Sequence, residues 1–301
     1  MELILDLIIF FFLITVGIFL LHESHNRARL HKHKLRKVIF ILLALSWATI
    51  FYGSFIEPRL LMVKQTSVNL IEAPTQTIRA VVFSDIHAGP FKKADWVAHV
   101  VKRVQKVQPD IVLILGDFVV KSAADVQYLS SLEKLKAPYG VYAVTGNHEY
   151  HAHASNEVIA ALESFGIEVI ENETLNLEIG DKTLRLAGVS DIWFEGDVGK
   201  TMQSVVDEDT TILLTHNPDV VLFDSTRFAD LVLSAHTHGG QISLPFIGPV
   251  PTVPTKLGRA FDKGWFEYND KPLFITSGVG ETGTRARLFN LPEVVLMEIG
   301  F

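Results

Sequence analysis

The chain has 301 residues, 48% apolar and 20% charged, with 27 Lys and Arg against 34 Asp and Glu for a formal charge of −7. That length suffices for one large domain or two ordinary ones and excludes a disordered tail, and the acidic balance gives no electrostatic footprint for a nucleic-acid backbone, so no nucleic acid is expected as a partner. There is no cysteine, which rules out disulfide scaffolds, Cys-ligated zinc, iron–sulfur clusters and thiol nucleophiles and leaves His, Asp, Asn and Glu to hold any metal.

The mean hydropathy of +0.27 is high for a protein surrounded by water, and the apolar excess sits at the start. Leu3–Leu21 is apolar apart from Asp6, Thr15 and Gly17, and at about 1.5 Å per residue it spans about 28 Å as a helix, enough for a bilayer. Val38–Ile56 carries no charge, and Trp47, Tyr52 and the closing Pro58 suit an interfacial end. Both segments are predicted to cross the membrane as a hairpin. A cleavable signal peptide fits the first less well, because no positive n-region precedes it and no small-residue cleavage site follows.

The loop between them, residues 22–37 (HESHNRARLHKHKLRK), holds all six basic residues of the region. Residues 1–56 contain three acids beside those six, a local charge of +3 that leaves −10 for the rest. The positive-inside rule keeps such a loop in the cytoplasm and puts both termini, with the whole body of the chain, on the other side. Its four histidines (His22, His25, His31, His33) read as part of a solvated basic loop beside anionic headgroups. The expected plan is therefore a multi-pass anchor at 1–57, a linker and lead-in at 58–77, and a folded domain at 78–301.

From Ile78 onward, β-branched runs alternate with amphipathic stretches, the mark of an α/β domain. Strands are predicted at Ile78–Phe83, Ile111–Leu115, Val141–Val144, Leu184–Gly188, Ile212–Leu214, Leu231–Leu233, Leu273–Thr276 and Val294–Ile299. A helix is predicted over Trp96–Val104, where Trp96, Val97, Val100, Val101 and Val104 share one face ahead of Pro109, and others near 122–136, 155–165 and 199–206.

Five strand ends carry the chemistry. IRAVVF runs into Ser84-Asp85-Ile86-His87, DIVLIL into Gly116-Asp117, VYAVT into Gly146-Asn147-His148-Glu149, ILLT into His216-Asn217, and LVLSA into His236-Thr237-His238-Gly239-Gly240. A single His or Asp after a strand is most often a cap or a hydrogen-bonded structural residue. Five in chain order, each among small residues that let the backbone turn and a ligand approach, point to a site. Asp85, His87, Asp117, Asn147, His216, His236 and His238 mix hard oxygens with borderline imidazoles, a set suited to two divalent ions such as Mn, Fe or Zn rather than calcium. Two ions need a shared ligand, for which Asp117 is the candidate. Ions about 3.5 to 4 Å apart can share a hydroxide nucleophile and clamp a phosphoryl group, so the expected reaction is phosphoester hydrolysis. His148, beside Asn147 and free of ligand duty, suits a general acid.

The ordered set SDIH, GD, GNHE, TH and AHTHGGQ resembles the calcineurin-like metallophosphoesterases over about residues 78–299. The resemblance implies a four-layer αββα sandwich, here preceded by the transmembrane hairpin. It implies Asp85, His87 and His238 on a first ion, Asn147, His216 and His236 on a second, Asp117 bridging, and His148 facing the substrate. Two departures stand out. Val120 occupies a place where the family often has an Asp that orients the catalytic His, so another carboxylate such as Glu149 would have to support His148, or the acid is weaker; and Ala235 replaces a frequent Gly. His151 and His153 read as exposed loop residues.

The stretch Gly240–Pro249, with Lys256–Arg259, Ser277–Gly280, Arg285 and Pro292-Glu293, is further similar to a membrane-anchored bacterial branch, some members of which hydrolyse the pyrophosphate of UDP-2,3-diacylglucosamine in lipid A biosynthesis. The likeness implies a lipid-linked phosphoester or pyrophosphate as substrate and a lipid bilayer as partner, and Mn as the first choice of metal. Leu244, Phe246 and Ile247 form an apolar loop after His238 that either meets the membrane and acyl chains or caps the end of the core. Arg259, Arg285 and Arg287 are candidates to grip a phosphate. The alternatives are a membrane-tethered phosphodiesterase or phosphatase for soluble nucleotides or cell-envelope phosphates, and a non-catalytic metal-binding module. A UDP-linked precursor made in the cytoplasm conflicts with a domain placed outside it.

Overall fold

The computed structural model describes residues 2–25, 33–206, 210–250 and 252–301. Helix α1 (Glu2–His25) and helix α2 (Lys34–Phe51) form an antiparallel pair, and α2 continues through a π-helical turn at Tyr52–Ile56 and a 3-10 turn at Glu57–Arg59. Each is long and apolar enough to cross a bilayer. Ile4, Leu7, Phe11, Ile14 and Ile18 on α1 and Leu35, Leu42 and Leu45 on α2 face outward, which no water-exposed surface tolerates as one patch; these are not core helices. Inside the pair, the indole of Trp47 donates to the Leu13 carbonyl at 2.8 Å and Glu23 binds Arg36 across the turn. The predicted basic loop 22–37 is shorter than expected, because α1 runs to His25 and α2 begins at Lys34; Arg27, Arg29, His31 and Lys32 lie outside the described residues.

Two sheets follow, of six strands each among the described residues. The first has the order β1-β14-β2-β3-β4-β5, from β1 (Met62–Asn69), β14 (Glu293–Gly300), β2 (Thr77–Phe83), β3 (Ile111–Leu115), β4 (Val141–Val144) and β5 (Glu168–Val169). The second has the order β12-β13-β9-β8-β7-β6, from β12 (Gly264–Tyr268), β13 (Lys271–Ile275), β9 (Leu231–Ser234), β8 (Thr211–Thr215), β7 (Lys182–Val189) and β6 (Glu173–Ile179). In the first sheet β2 to β5 are parallel, and in the second β7, β8, β9 and β13 are.

The sheets pack face to face. Ile78, Ala80, Val82, Leu113 and Leu115 of the first meet Leu184, Leu186, Ile212, Leu214 and Leu233 of the second in one buried cluster, each large side chain contributing about 1.5–3 kcal/mol of burial. The opposite face of the first sheet takes α3 (Ala94–Lys106), which buries Val97, Val100, Val101 and Val104, together with the 3-10 segment Ala123–Lys134 and α4 (Ser155–Ser164). The outer face of the second takes α5 (Val198–Met202) and two 3-10 turns. The four layers are therefore helix, sheet, sheet, helix, as the resemblance implied.

Three readings of the sequence need correction, and the structure decides between two alternatives for a fourth. The stretch 58–77, read as linker and lead-in, contains β1, an edge strand in parallel register with β14 from Met62↔Glu293 to Asn69↔Gly300. Its residues MVKQTSVN are half-exposed or exposed throughout, so they lack the apolar run that marks a buried strand. The helix near 199–206 ends at Met202, and the helix near 122–136 is 3-10 rather than α. The apolar loop after His238 is a small hairpin, β10 (Ser243–Leu244) with β11 (Gly248–Pro249). Phe246 stands at its tip, fully exposed, so this loop does not cap the core.

Candidate metal centre and active site

Strands β2, β3, β4, β8 and β9 all deliver their carboxyl ends to one edge of the sandwich, and the five sequence blocks follow those ends. Asp85, His87, Asp117 and His238 each bring a ligand atom within 4.8 Å of the others, and Asp117, His216 and His236 do the same. Asp117 belongs to both sets. Its Oδ2 lies 3.4 Å from His87 Nε2 and 3.2 Å from His216 Nε2, while Asp85 Oδ1 lies 3.2 Å from His238 Nε2. Asn147 is buried beside them, since the N–H of His148 donates to Asp117 Oδ1 at 2.9 Å.

The backbone here is unusual. Asp85, His87, Asp117, His236 and His238 all adopt left-handed φ between 45° and 72°, a conformation that costs non-glycine residues energy and persists where surrounding structure enforces it. Two loops also nearly touch: a Cβ on Gly146 would lie 2.3 Å from Asp117 Oδ1 and 2.7 Å from Asp117 N. Only glycine fits there.

The donor set fits divalent cations. Burial, reinforced by neighbouring histidines, pushes the imidazoles of His87 and His238 well below their ordinary range and that of His236 down to about 3, so their lone pairs are free. Burial alone would raise Asp117, but His216, His148 and His87 outweigh it and hold the carboxylate well below its ordinary value. His216 is the reverse case: burial opposes its charge, yet Asp117 pushes it up to about 10. Its Nδ1 is spent on the Leu115 carbonyl at 2.7 Å, which aims Nε2 at Asp117. Asp85 Oδ1 and Asn147 Oδ1 are buried with no hydrogen-bond donor, as an oxygen ligand awaiting a cation would be.

Glu149 does something other than support His148. Fully buried, it accepts from the backbone N–H groups of Gly146 (2.8 Å), Asp117 (3.1 Å), Phe118 (2.7 Å) and Val119 (3.3 Å), clamping the two loops together. Burial and the nearby Asp117 charge push its carboxyl up to about 8. Glu149→Gln turns an NH2 group toward those donors, and the unpaired buried groups are expected to cost about 1–3 kcal/mol, read as a lowered midpoint in urea unfolding of the metal-free chain. The orienting role falls to Val120 through its backbone, whose carbonyl lies 3.3 Å from His148 Nδ1. His148 is half-buried, its ring set at a steep angle to that of His87 with 4.5 Å between centroids.

Of the three candidate phosphate-gripping arginines, Arg287 is wholly buried and donates to the carbonyls of Ser277, Gly278, Gly280 and Asn290; it shapes the loop. Arg259 is held by the Pro249 carbonyl at 2.7 Å. Arg285 lies 3.6 Å from Asp6 of α1 and over the Phe91 ring. Asn290 completes the loop, its side-chain amide donating to the His238 and Gly239 carbonyls while its own N–H donates to Glu57 at the end of α2 at 2.5 Å. The apolar hairpin is thus built into the support of His238. His151 and His153 are exposed, as expected.

A further wall escaped the sequence reading. After β7, Ser190-Asp191-Ile192-Trp193 repeats the strand-then-Ser-Asp pattern of Ser84-Asp85. Asp191 is buried with Oδ2 unpartnered, the Trp193 and His236 rings meet edge-to-face with 4.6 Å between centroids, and Phe194 stacks on Tyr150 at 4.9 Å.

Known proteins resemble this chain along most of its length. The metallophosphoesterase YkuE of Bacillus subtilis is 27% identical over 82% of this chain and 88% of its own length. A metallophosphoesterase of Aquifex aeolicus is 31% identical over 82% of this chain and 94% of its own. A transmembrane protein with a metallophosphoesterase domain from Danio rerio is 29% identical over 72% of this chain and 52% of its own. The calcineurin-like phosphoesterase family matches residues 78–240, the span that runs from β2 through the His236–Gly240 block, and the chain belongs to that family of metal-dependent phosphohydrolases.

Proposed function

We propose that this chain is a membrane-anchored, dinuclear phosphohydrolase that cleaves a lipid-linked phosphoester or pyrophosphate at the bilayer surface. The observation that carries the reading is the hydrogen-bonded junction of the apolar hairpin with the loop that supports His238. Asp85, His87, Asp117 and His238 would hold one cation, Asp117, Asn147, His216 and His236 the other, with Mn first among Mn, Fe and Zn. Such cations, when bound, stabilise the charge of the phosphoryl group and lower the pKa of the attacking water. The chain's own residues do the rest. Asp117 sets the spacing between the two ligand sets. His148, its Nδ1 turned to the Val120 carbonyl, presents Nε2 to donate a proton to the leaving oxygen. By the positive-inside rule the catalytic domain lies outside the cytoplasm.

The Trp193 and Phe194 wall favours a second reading in which a flat group is stacked beside His236, as in a soluble nucleotide. A panel of lipidated and soluble phosphoesters, given to detergent-purified protein with added Mn, separates the two. Turnover favouring lipidated diphosphates supports the lipid reading, and turnover of soluble diesters alone replaces it with the nucleotide or envelope-phosphate reading. No turnover despite bound metal leaves a non-catalytic metal module.

A further inference from the structure

A cavity of about 440 Å³ opens where the 3-10 turn closing α2 meets the catalytic domain. Four of its lining residues are cationic, Arg59, Lys92, Lys93 and Arg285, against two acids, Asp95 and Glu281; His99 also lines it, its imidazole held below its ordinary range by burial and neighbouring cations. Some of that charge is matched: Lys92 Nζ sits 3.2 Å from Glu281 and donates to the Pro58 carbonyl at 2.7 Å, and Arg285 faces Asp6. Arg59, which also donates to the Phe55 carbonyl, and Lys93 keep exposed side chains at the rim. Two of the cations are backed by rings, Lys92 over Trp96 at 3.5 Å and Arg285 over Phe91 at 3.8 Å. Burial lowers the Lys92 amine to about 8 in spite of Glu281, a cost that a further anion in the cavity relieves.

The height of the cavity matters as much as its charge. Arg59 ends the second apolar span, Lys34–Arg59, so the rim lies where a bilayer's phosphates would be, and cations beside aromatic rings are the side chains suited to that level. The cavity also adjoins the candidate metal centre. Phe91, Lys92, Glu281 and Arg285 line a second, narrow cleft as well, whose far side is His87 and Val120. One wall thus faces the bilayer edge and the other the metal centre.

We propose that this cavity binds the phosphate-bearing headgroup of an anionic bilayer lipid, held by Arg59, Lys93 and Arg285, next to the His87 side of the site. The proposal rests on the membrane reading above. It goes beyond the metal centre, for none of these residues belongs to either ligand set.

Native mass spectrometry of the full chain released from micelles tests it, with phosphatidylglycerol and phosphatidylcholine as probes. The expected result is one retained phosphatidylglycerol, preferred about tenfold over phosphatidylcholine, a preference lost in the Arg59→Gln, Lys93→Gln double variant, whose two side chains are exposed and leave the packing intact. Arg285→Gln, measured separately, is expected to lose it too. Equal retention of both lipids overturns the proposal, as does undiminished preference in both variants. Displacement of the lipid by inorganic phosphate overturns the lipid source in favour of a free anion. The readout involves no turnover, so failure here leaves the phosphohydrolase reading standing, and failure of lipid hydrolysis with headgroup binding intact counts against that reading alone.

Discussion

Asp117→Asn is expected to lower kcat/KM on a soluble phosphodiester by about three orders of magnitude. Asp117 is the one carboxylate common to both ligand sets, 3.4 Å from His87 Nε2 and 3.2 Å from His216 Nε2. An amide keeps the shape and halves what the position offers, since one lone-pair oxygen and the negative charge are both lost. The folded chain survives because Glu149 holds the loop around it and the amide oxygen of the variant can still accept from the His148 N–H, as Asp117 Oδ1 does at 2.9 Å. Metal content measured by elemental analysis is expected to fall along with activity, while circular dichroism is unchanged. Full activity in the variant would remove the bridge from the account.

His148→Ala should act differently. Its ring borders the metal ligands without joining either set, so metal content stays as in the wild type. Loss of the acid is expected to cost about 10²- to 10⁴-fold in kcat for substrates with an alkoxide or sugar leaving group. A p-nitrophenyl ester, whose leaving group departs without a proton, should lose far less. A uniform loss across leaving groups would show that His148 only binds the phosphate.

The candidate site was legible in the sequence because each candidate ligand follows a short, continuously apolar strand and sits among small residues. IRAVVF-SDIH and LVLSA-HTH have no plausible helical reading, and both faces of these strands are covered, by the second sheet and by helices. The half-exposed strands were not legible. MVKQTSVN pairs through its backbone with a strand more than two hundred residues away, and nothing in its side chains announces that partner. The same holds for the supports. Glu149 reads as a carboxylate next to a catalytic His, and only the fold shows its oxygens turned to four backbone N–H groups. Arg287 looks like a phosphate ligand until its burial among carbonyls is seen. Trp193 was within reach, since Ser190-Asp191 follows a strand as Ser84-Asp85 does. The docking of Glu57 on Asn290 joins residues at opposite ends of the chain, beyond any local pattern.

The left-handed φ values are the feature least visible in the sequence. Glycine announces such positions, but Asp85, His87, Asp117, His236 and His238 are not glycine. They are held there by neighbours: His87 N donates to the Asp117 carbonyl at 3.0 Å and Asp85 N to Gly116 O at 3.0 Å. Strain concentrated on ligand-bearing residues is what a preorganised site requires.

The central claim is that paired cations on these seven residues make the chain a phosphohydrolase. Its most direct test strips the purified protein with a chelator and follows hydrolysis of a soluble phosphodiester as Mn is added back. The account predicts no turnover in the stripped protein and activity that rises with added Mn and levels off at about two equivalents per chain. Undiminished turnover after complete metal removal would contradict it.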